Sequence, residues 1–161
     1  MADCDKARNR MRKSLIIAAL ATAAAAAWAT PAFCQTSSVW DGAYSGPQAD
    51  RGAAKYKQEC VMCHGPALEG NGEAPPLVGH FIPDWAGTKL SDVFEKIQTT
   101  MPLFAPGTLS ATDTADLLAY ILQSNNFPAG SKELEAGDGL KLVSFDVSKP
   151  AVKETKTKKR H

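Results

Sequence analysis

Cys60-Val61-Met62-Cys63-His64 is the stretch on which the reading of this chain turns. Two thiols three positions apart, followed at once by an imidazole, form the C-x-x-C-H pattern of c-type haem attachment. The spacing has a physical reason. At a helix end, two such thiols reach the two vinyl groups on one edge of a porphyrin. The adjacent histidine then lies under the metal, where it can bind iron axially. Both thiols are consumed as thioethers, so an exported protein cannot lose the cofactor to the medium. Other chemistries fit less well. A thioredoxin-like redox pair wants a βαβ context, which is missing here. A structural zinc site needs four ligands. Cys60, Cys63, His64 and His80 could be offered, but adjacent Cys63 and His64 crowd one tetrahedral ion. A disulfide is open to an exported chain, yet it leaves His64 without a purpose.

On the N-terminal side, Ala49, Gly52, Ala53, Tyr56 and Cys60 share one helical face, with spacing i, i+3, i+4, i+7, i+11. Residues 35–47 before them read as a polar leader marked by Gly and Pro. On the C-terminal side, residues 65–88 are rich in Gly and Pro, from Gly65 and Pro66 to Pro83 and Gly87. So long a loop in a small domain implies that it wraps something. Leu90, Val93, Phe94, Ile97 and Met101 then predict a second helix, with Ser91 as its cap and Pro102 as its stop. Ser110 with Asp113 predicts a capped start for a third. Ala115, Leu118, Ala119 and Leu122 continue it, with fraying near Asn125-Asn126. Residues 140–147 alternate weakly and are the one strand candidate. Three short helices and one long loop make a thin core, which favours a bound prosthetic group that adds to it.

An iron held by His64 needs a sixth ligand or leaves an open site. Met101, His80 and nominally Met62 are the candidates. Met62 lies inside the attachment loop and cannot turn to the other face. Met101 equally suits the end of an apolar stripe, and His80 equally suits an exposed loop.

The 161 residues, 44% hydrophobic and 22% charged, fit one modest domain and exclude a large multidomain enzyme. The net charge of +1 hides an uneven distribution. Residues 1–34 carry +3, residues 35–148 carry −7 and residues 149–161 carry +5. Nothing in this balance argues for nucleic acid. Residues 1–34 read as a secretory signal: Arg8, Arg10, Arg12 and Lys13 precede an uncharged run from Ser14 to Ala27. Cleavage after Ala32 or Cys34 both leave a small residue at the end. Extended through Phe33, the run also reaches the roughly 20 residues of an uncleaved membrane anchor. Ala32-Phe33-Cys34 is a poor acylation site. Either way the 35–148 body lies outside the cytoplasm. Of the four cysteines, Cys4 and Cys34 fall in this targeting region. The basic tail, 149–161, reads as a solvated extension. Its functional alternative is a docking arm for an acidic partner or anionic lipid.

Four pieces occur in order: Cys60 to His64, Ala74-Pro75-Pro76-Leu77-Val78-Gly79, Thr100-Met101-Pro102, and Asp116-Leu117-Leu118-Ala119-Tyr120-Ile121-Leu122. Together they resemble the class I mono-haem cytochromes c over residues 49 to 125. The resemblance implies an all-α cytochrome c fold of three to four helices around one covalently attached haem c. It implies His64 and Met101 as the iron ligands and Cys60 and Cys63 as the haem attachment. Pro75 matches the residue whose carbonyl accepts from the axial histidine. Leu77 belongs to the same cofactor-binding segment, and Trp85 resembles a tryptophan that donates to a haem propionate. Gly52, Tyr56 and Tyr120 resemble residues that let the first and last helices cross closely. Trp40-Asp41-Gly42-Ala43-Tyr44, Thr99-Thr100-Met101-Pro102, Pro106-Gly107 and Asn126-Phe127-Pro128-Ala129-Gly130 are similar to one subset. These are small cytochromes that accompany periplasmic quinoprotein dehydrogenases of Gram-negative bacteria. His80-Phe81 departs from the pattern, where a small residue or proline is more usual before the aromatic. The implied function is one-electron transfer in the periplasm, from a dehydrogenase to a terminal oxidase or another cytochrome, with no enzyme activity of its own. Partner encounters would be transient, and membrane contact arises only if the N-terminal segment is uncleaved. A haem enzyme or ligand sensor with an open iron site, peroxidase-like, is the alternative, and it requires Met101 to be absent from the iron.

Overall fold

The computed structural model describes residues 37–72, 74–146 and 148. The expected signal segment 1–34, with Cys4 and Cys34, and the tail 149–161 lie outside the described residues. Among those described, three long helices carry the fold: α1 (Gly46–Glu59), α4 (Leu90–Thr100) and α5 (Ala111–Ser124). Two single-turn helices, α2 (Val61–His64) and α3 (Phe81–Asp84), punctuate the loops between them. This is the all-α architecture expected.

Helix α1 starts three residues earlier than its apolar stripe. The Ser45 hydroxyl accepts from the Gln48 amide at 3.3 Å, and Pro47 stands in the first turn, where its missing N–H is not needed. Helix α4 corrects a detail of the sequence reading. Ser91 is not its cap. Lys89 is the extended residue before the helix, and its amide donates to the Asp92 carboxylate at 2.9 Å. Asp92 stands three residues after the cap position, from where its carboxylate reaches back. At the other end, Met101 is extended (φ −120°, ψ 153°), as a residue before proline should be. Ser110 caps α5 as expected, accepting from the Asp113 amide at 3.0 Å. The end of α5 is not frayed. Asn125 there is buried and bonded, and Asn126 turns the chain with φ 63°.

The first and last long helices cross at Gly52. A Cβ there would overlap the backbone carbonyl of Asp116, so only glycine permits the approach. Next to the crossing, the Tyr56 and Tyr120 rings lie 5.4 Å apart at 56°. Arg51 of α1 spans to the buried Asp116 carboxylate at 2.8 and 2.9 Å and to Glu133 at 2.9 Å.

Residues 37–45 are not a loose leader, as the sequence suggested, but part of the core. Val39 and Tyr44 are fully buried. Ser37–Ser38 (β1) pairs in parallel with Val143–Ser144 (β2), which is all that remains of the 140–147 strand candidate. Leu140 and Phe145 on either side of β2 turn inward instead. Residues 126–146 thus form a strap across the molecule. Its inner side continues an aromatic chain: Trp40 to Phe127 (4.6 Å), Phe127 to Phe145 (5.5 Å), Phe145 to Phe81 (5.8 Å) and Phe81 to Trp85 (6.2 Å). Such tilted and edge-on pairs are the favoured aromatic geometry. The segments Trp40–Tyr44 and Asn126–Gly130, which carried the subset resemblance, meet here. The Tyr44 hydroxyl donates to the Phe127 carbonyl at 2.7 Å, and Gly42 packs against Gly130 with no room for a side chain on either.

Candidate haem site

The end of α1, the single turn α2, the long loop and the end of α4 enclose one cavity of about 330 Å³. Cys60, Cys63, His64, Pro75, Leu77, Trp85 and Met101 all line it. His80 is exposed and does not border the cavity. Met62 is 87% exposed and does not border it either.

Helix α1 delivers Cys60 to the cavity. The tight turn α2 then brings Cys63 and His64 round, with the His64 amide donating to the Cys60 carbonyl at 2.9 Å. Gly65, at φ 77°, ends that turn, and its carbonyl accepts from the Tyr56 hydroxyl at 2.7 Å. Cys60 is half-buried and Cys63 exposed, and the two are not joined in a disulfide. Burial pushes the Cys60 thiol up to about 11, with the neighbouring Glu59 charge adding to the effect. Burial likewise raises the Tyr56 phenol, which stays protonated as the donor to Gly65.

His64 is 7% exposed, and its Nδ1 lies 2.9 Å from the Pro75 carbonyl. A carbonyl only accepts, so Nδ1 carries a proton, and in the neutral ring the lone pair falls on Nε2. That is the tautomer a metal ligand needs. The loop supporting this bond is tied at several points. Gly70 N–H donates to the His64 carbonyl at 2.8 Å, and Leu77 N–H to the Leu68 carbonyl at 2.8 Å. Leu68, buried at 3%, adopts φ 61°, a conformation leucine rarely takes. Its buried side chain and bonded carbonyl together hold it there. Gly70, at φ 75°, packs on Ala74 and Pro76 so tightly that a side chain would strike both. At the other end of the site, Phe81 and Trp85 present α3 to the cavity, backed by Phe145 of the strap.

The donor set suits a covalently held haem. Two thiols, an imidazole with its tautomer set and a thioether border one apolar space. Among the described residues, no group of three or more His, Cys, Asp or Glu side chains converges to hold a bare metal ion. His80 does not join Cys60, Cys63 and His64, so the zinc alternative loses its fourth ligand. Sequence reasoning missed Tyr56 as a donor to the attachment turn, Phe81 as a wall of the cavity, and Asn125. The first two sat in plain view as apolar-stripe and loop residues. Asn125 sat in a pair that looked like a helix stop.

The helices and the residues that line the cavity fit the cytochrome c fold. Residues 47–121 match the family described as cytochrome c oxidase, cbb3-type, subunit III. Among solved structures, the chain is similar to one in the crystal structure of the sulfane dehydrogenase SoxCD from Paracoccus pantotrophus, at 24% identity and a TM-score of 0.43. That similarity covers 70% of this chain and 61% of that one. No curated protein matches the chain.

Proposed function

We propose that this protein is a periplasmic one-electron carrier with a single haem c ligated by His64 and Met101. The observation that supports this most directly is the convergence of Cys60, Cys63, His64 and Met101 on one cavity, with the His64 Nδ1 bonded to Pro75 at 2.9 Å. The haem supplies an Fe(II)/Fe(III) couple, which a methionine ligand shifts to higher potential than a second histidine does. Cys60 and Cys63 would hold the group through thioethers. His64 would offer Nε2 to the iron, with Pro75 keeping the other ring nitrogen protonated. Met101, at the junction of α4 and Pro102 where its backbone is extended, would offer its thioether as the other iron ligand. The apolar walls exclude water and lower the local dielectric, which limits reorganisation on electron transfer. With His64 and Met101 both bound to the iron, no coordination site would be left for oxygen, peroxide or substrate.

The donor in this reading is a periplasmic dehydrogenase and the acceptor an oxidase or another cytochrome. Support comes from the Trp40–Tyr44 and Asn126–Gly130 segments, which resemble those of cytochromes serving such enzymes. The body's net charge of −7 favours a partner with a basic or neutral face. Residues 1–34 direct export and are removed or retained as an anchor. Among the described residues, no helix is long and apolar enough to cross a membrane.

The test is the intact mass and ligand reactivity of protein purified from the periplasmic and membrane fractions of cells competent in cytochrome maturation. A cleaved chain plus one haem, whose reduced spectrum is unmoved by carbon monoxide, is the expected result. Immediate binding of carbon monoxide to the native reduced protein would replace the carrier reading with an open-site enzyme or sensor. A chain without haem would remove both.

A further inference from the structure

Asn125 stands at the end of α5 and is only 6% exposed. Its side-chain nitrogen donates to two carbonyls at once. One is Ile121, a turn back on its own helix, at 2.9 Å; the other is Leu77, in the loop that lines the cavity, at 2.8 Å. A carboxamide nitrogen carries two hydrogens, so one atom fills both bonds. Asp offers only acceptors when ionised, and Ser has a single hydrogen. Among the described residues the Asn125 Oδ1 has no partner. Buried acceptors are almost always matched. The fold therefore keeps an unmatched acceptor in order to keep this donor.

What the donor holds matters because of the residues next to it. Pro75 and Pro76 have no N–H, so neither can anchor itself by a backbone donor. The position of the Pro75 carbonyl is set by the anchors that flank the pair. Upstream, Asn71 and Ala74 exchange backbone bonds at 2.8 and 3.1 Å. Downstream, Leu77 is gripped at both ends: its N–H by Leu68 at 2.8 Å and its carbonyl by Asn125. Fixed φ in both prolines transmits the Leu77 anchor back to Pro75.

We propose that Asn125 is a positioning residue for His64. By holding the Leu77 carbonyl, it fixes the Pro75 carbonyl, and with it the Nδ1–H···O bond that sets the orientation and basicity of the imidazole. Asn125 does not line the cavity and acts only through Leu77 and Pro75. The inference rests on the reading of His64 as the axial ligand.

The test uses haem-loaded wild type, Asn125→Asp and Asn125→Ala. Two quantities are read: hydrogen exchange of the His64 Nδ1–H in the reduced protein by NMR, and the midpoint potential. Both variants should exchange this proton roughly tenfold faster, the scale of one weakened hydrogen bond. The potential of Asn125→Ala, which adds no charge, should rise, because a less basic imidazole favours Fe(II). A lowered melting temperature with wild-type exchange and potential would reduce Asn125 to a structural role and overturn the proposal. If neither variant folds, isotope-labelled wild type decides. A scalar coupling across the hydrogen bond from the Asn125 side-chain nitrogen to the Leu77 carbonyl carbon supports the proposal, and its absence removes it. Failure of the underlying reading looks different: His64→Ala would then keep the wild-type haem spectrum, and the inference would fall with it.

Discussion

Gly52 packs directly on the backbone carbonyl of Asp116, leaving no space for a Cβ where α1 crosses α5. The neighbour is backbone inside a helix, so it cannot move aside as a side-chain tip would. Gly52→Ala gains about 1 kcal/mol of helix propensity, but overpacking of this kind costs about 1–3 kcal/mol or more. A backbone collision belongs at the upper end. The expected net loss is about 2 kcal/mol, read as a fall in melting temperature of roughly 8 °C for a domain this size. An unchanged melting temperature would mean the helices can separate freely.

Alongside the Arg51–Glu133 ion pair, one buried amide clasps the strap to α1. Gln48, 2% exposed, donates from Nε2 to the Leu134 carbonyl at 2.8 Å and accepts from the Leu134 N–H at 2.7 Å. Gln48→Leu keeps the volume but strands both backbone groups of Leu134. Each buried unsatisfied group costs about 1–3 kcal/mol, so a loss of about 2–6 kcal/mol is expected from denaturant titration. The variant's strap should also be cut faster by a nonspecific protease. Equal midpoints for variant and wild type would show that the strap does not depend on the clasp.

Acid should loosen the contact between α1, α5 and the strap. The Ser110 hydroxyl, bonding at 2.8 Å, with Lys55 at 3.2 Å, holds the Asp113 carboxyl below its ordinary range. Arg51 does the same for Glu133. A carboxyl depressed in the folded state contributes stability above its unfolded value, near pH 4, and that stability is lost as pH falls through the folded value. Melting temperature should therefore hold from neutral pH to about 5 and decline below about 4. Ser110→Ala should flatten part of that decline while costing about 1 kcal/mol at neutral pH as a lost cap. An identical acid slope in this variant would assign the decline to other groups.

Met101 and His80 make opposite predictions. Met101→His should lower the midpoint potential by on the order of 0.1 V or more, within the ~0.8 V that axial ligands span. Met101→Ala should admit carbon monoxide to the reduced iron. His80→Ala should change neither property, since His80 is exposed and away from the cavity. The ligand assignment fails if His80→Ala opens the iron to carbon monoxide and Met101→Ala does not.

How much of this was legible beforehand depended on the range of the interaction. Ser110 capping α5 and Pro102 ending α4 were readable, because a cap acts over three residues and a proline over one. The Asp92 cap went to Ser91 in the reading, because both residues lie in the first turn and only backbone dihedrals separate them. Val39 and Tyr44 looked like a polar leader. The partner of Tyr44, Phe127, lies 83 residues away. Asn125 looked like a helix stop because its second acceptor, Leu77, is 48 positions distant.

The chain by itself determined that two thiols and an imidazole stand together. Cys60, Cys63 and His64 are adjacent, and their reach to one group follows from covalent geometry and a single helical turn. It also determined the closeness of the α1–α5 crossing, since an absent Cβ at Gly52 is a property of the residue. Tertiary structure alone decided that Met101 borders the cavity and His80 does not, that Asn125 grips the Leu77 carbonyl, and that the ends of the domain close over Phe81 and Trp85. Those outcomes depend on which distant surfaces pack together. Packing is settled by the summed burial and hydrogen bonding of the whole core, not by any local spacing.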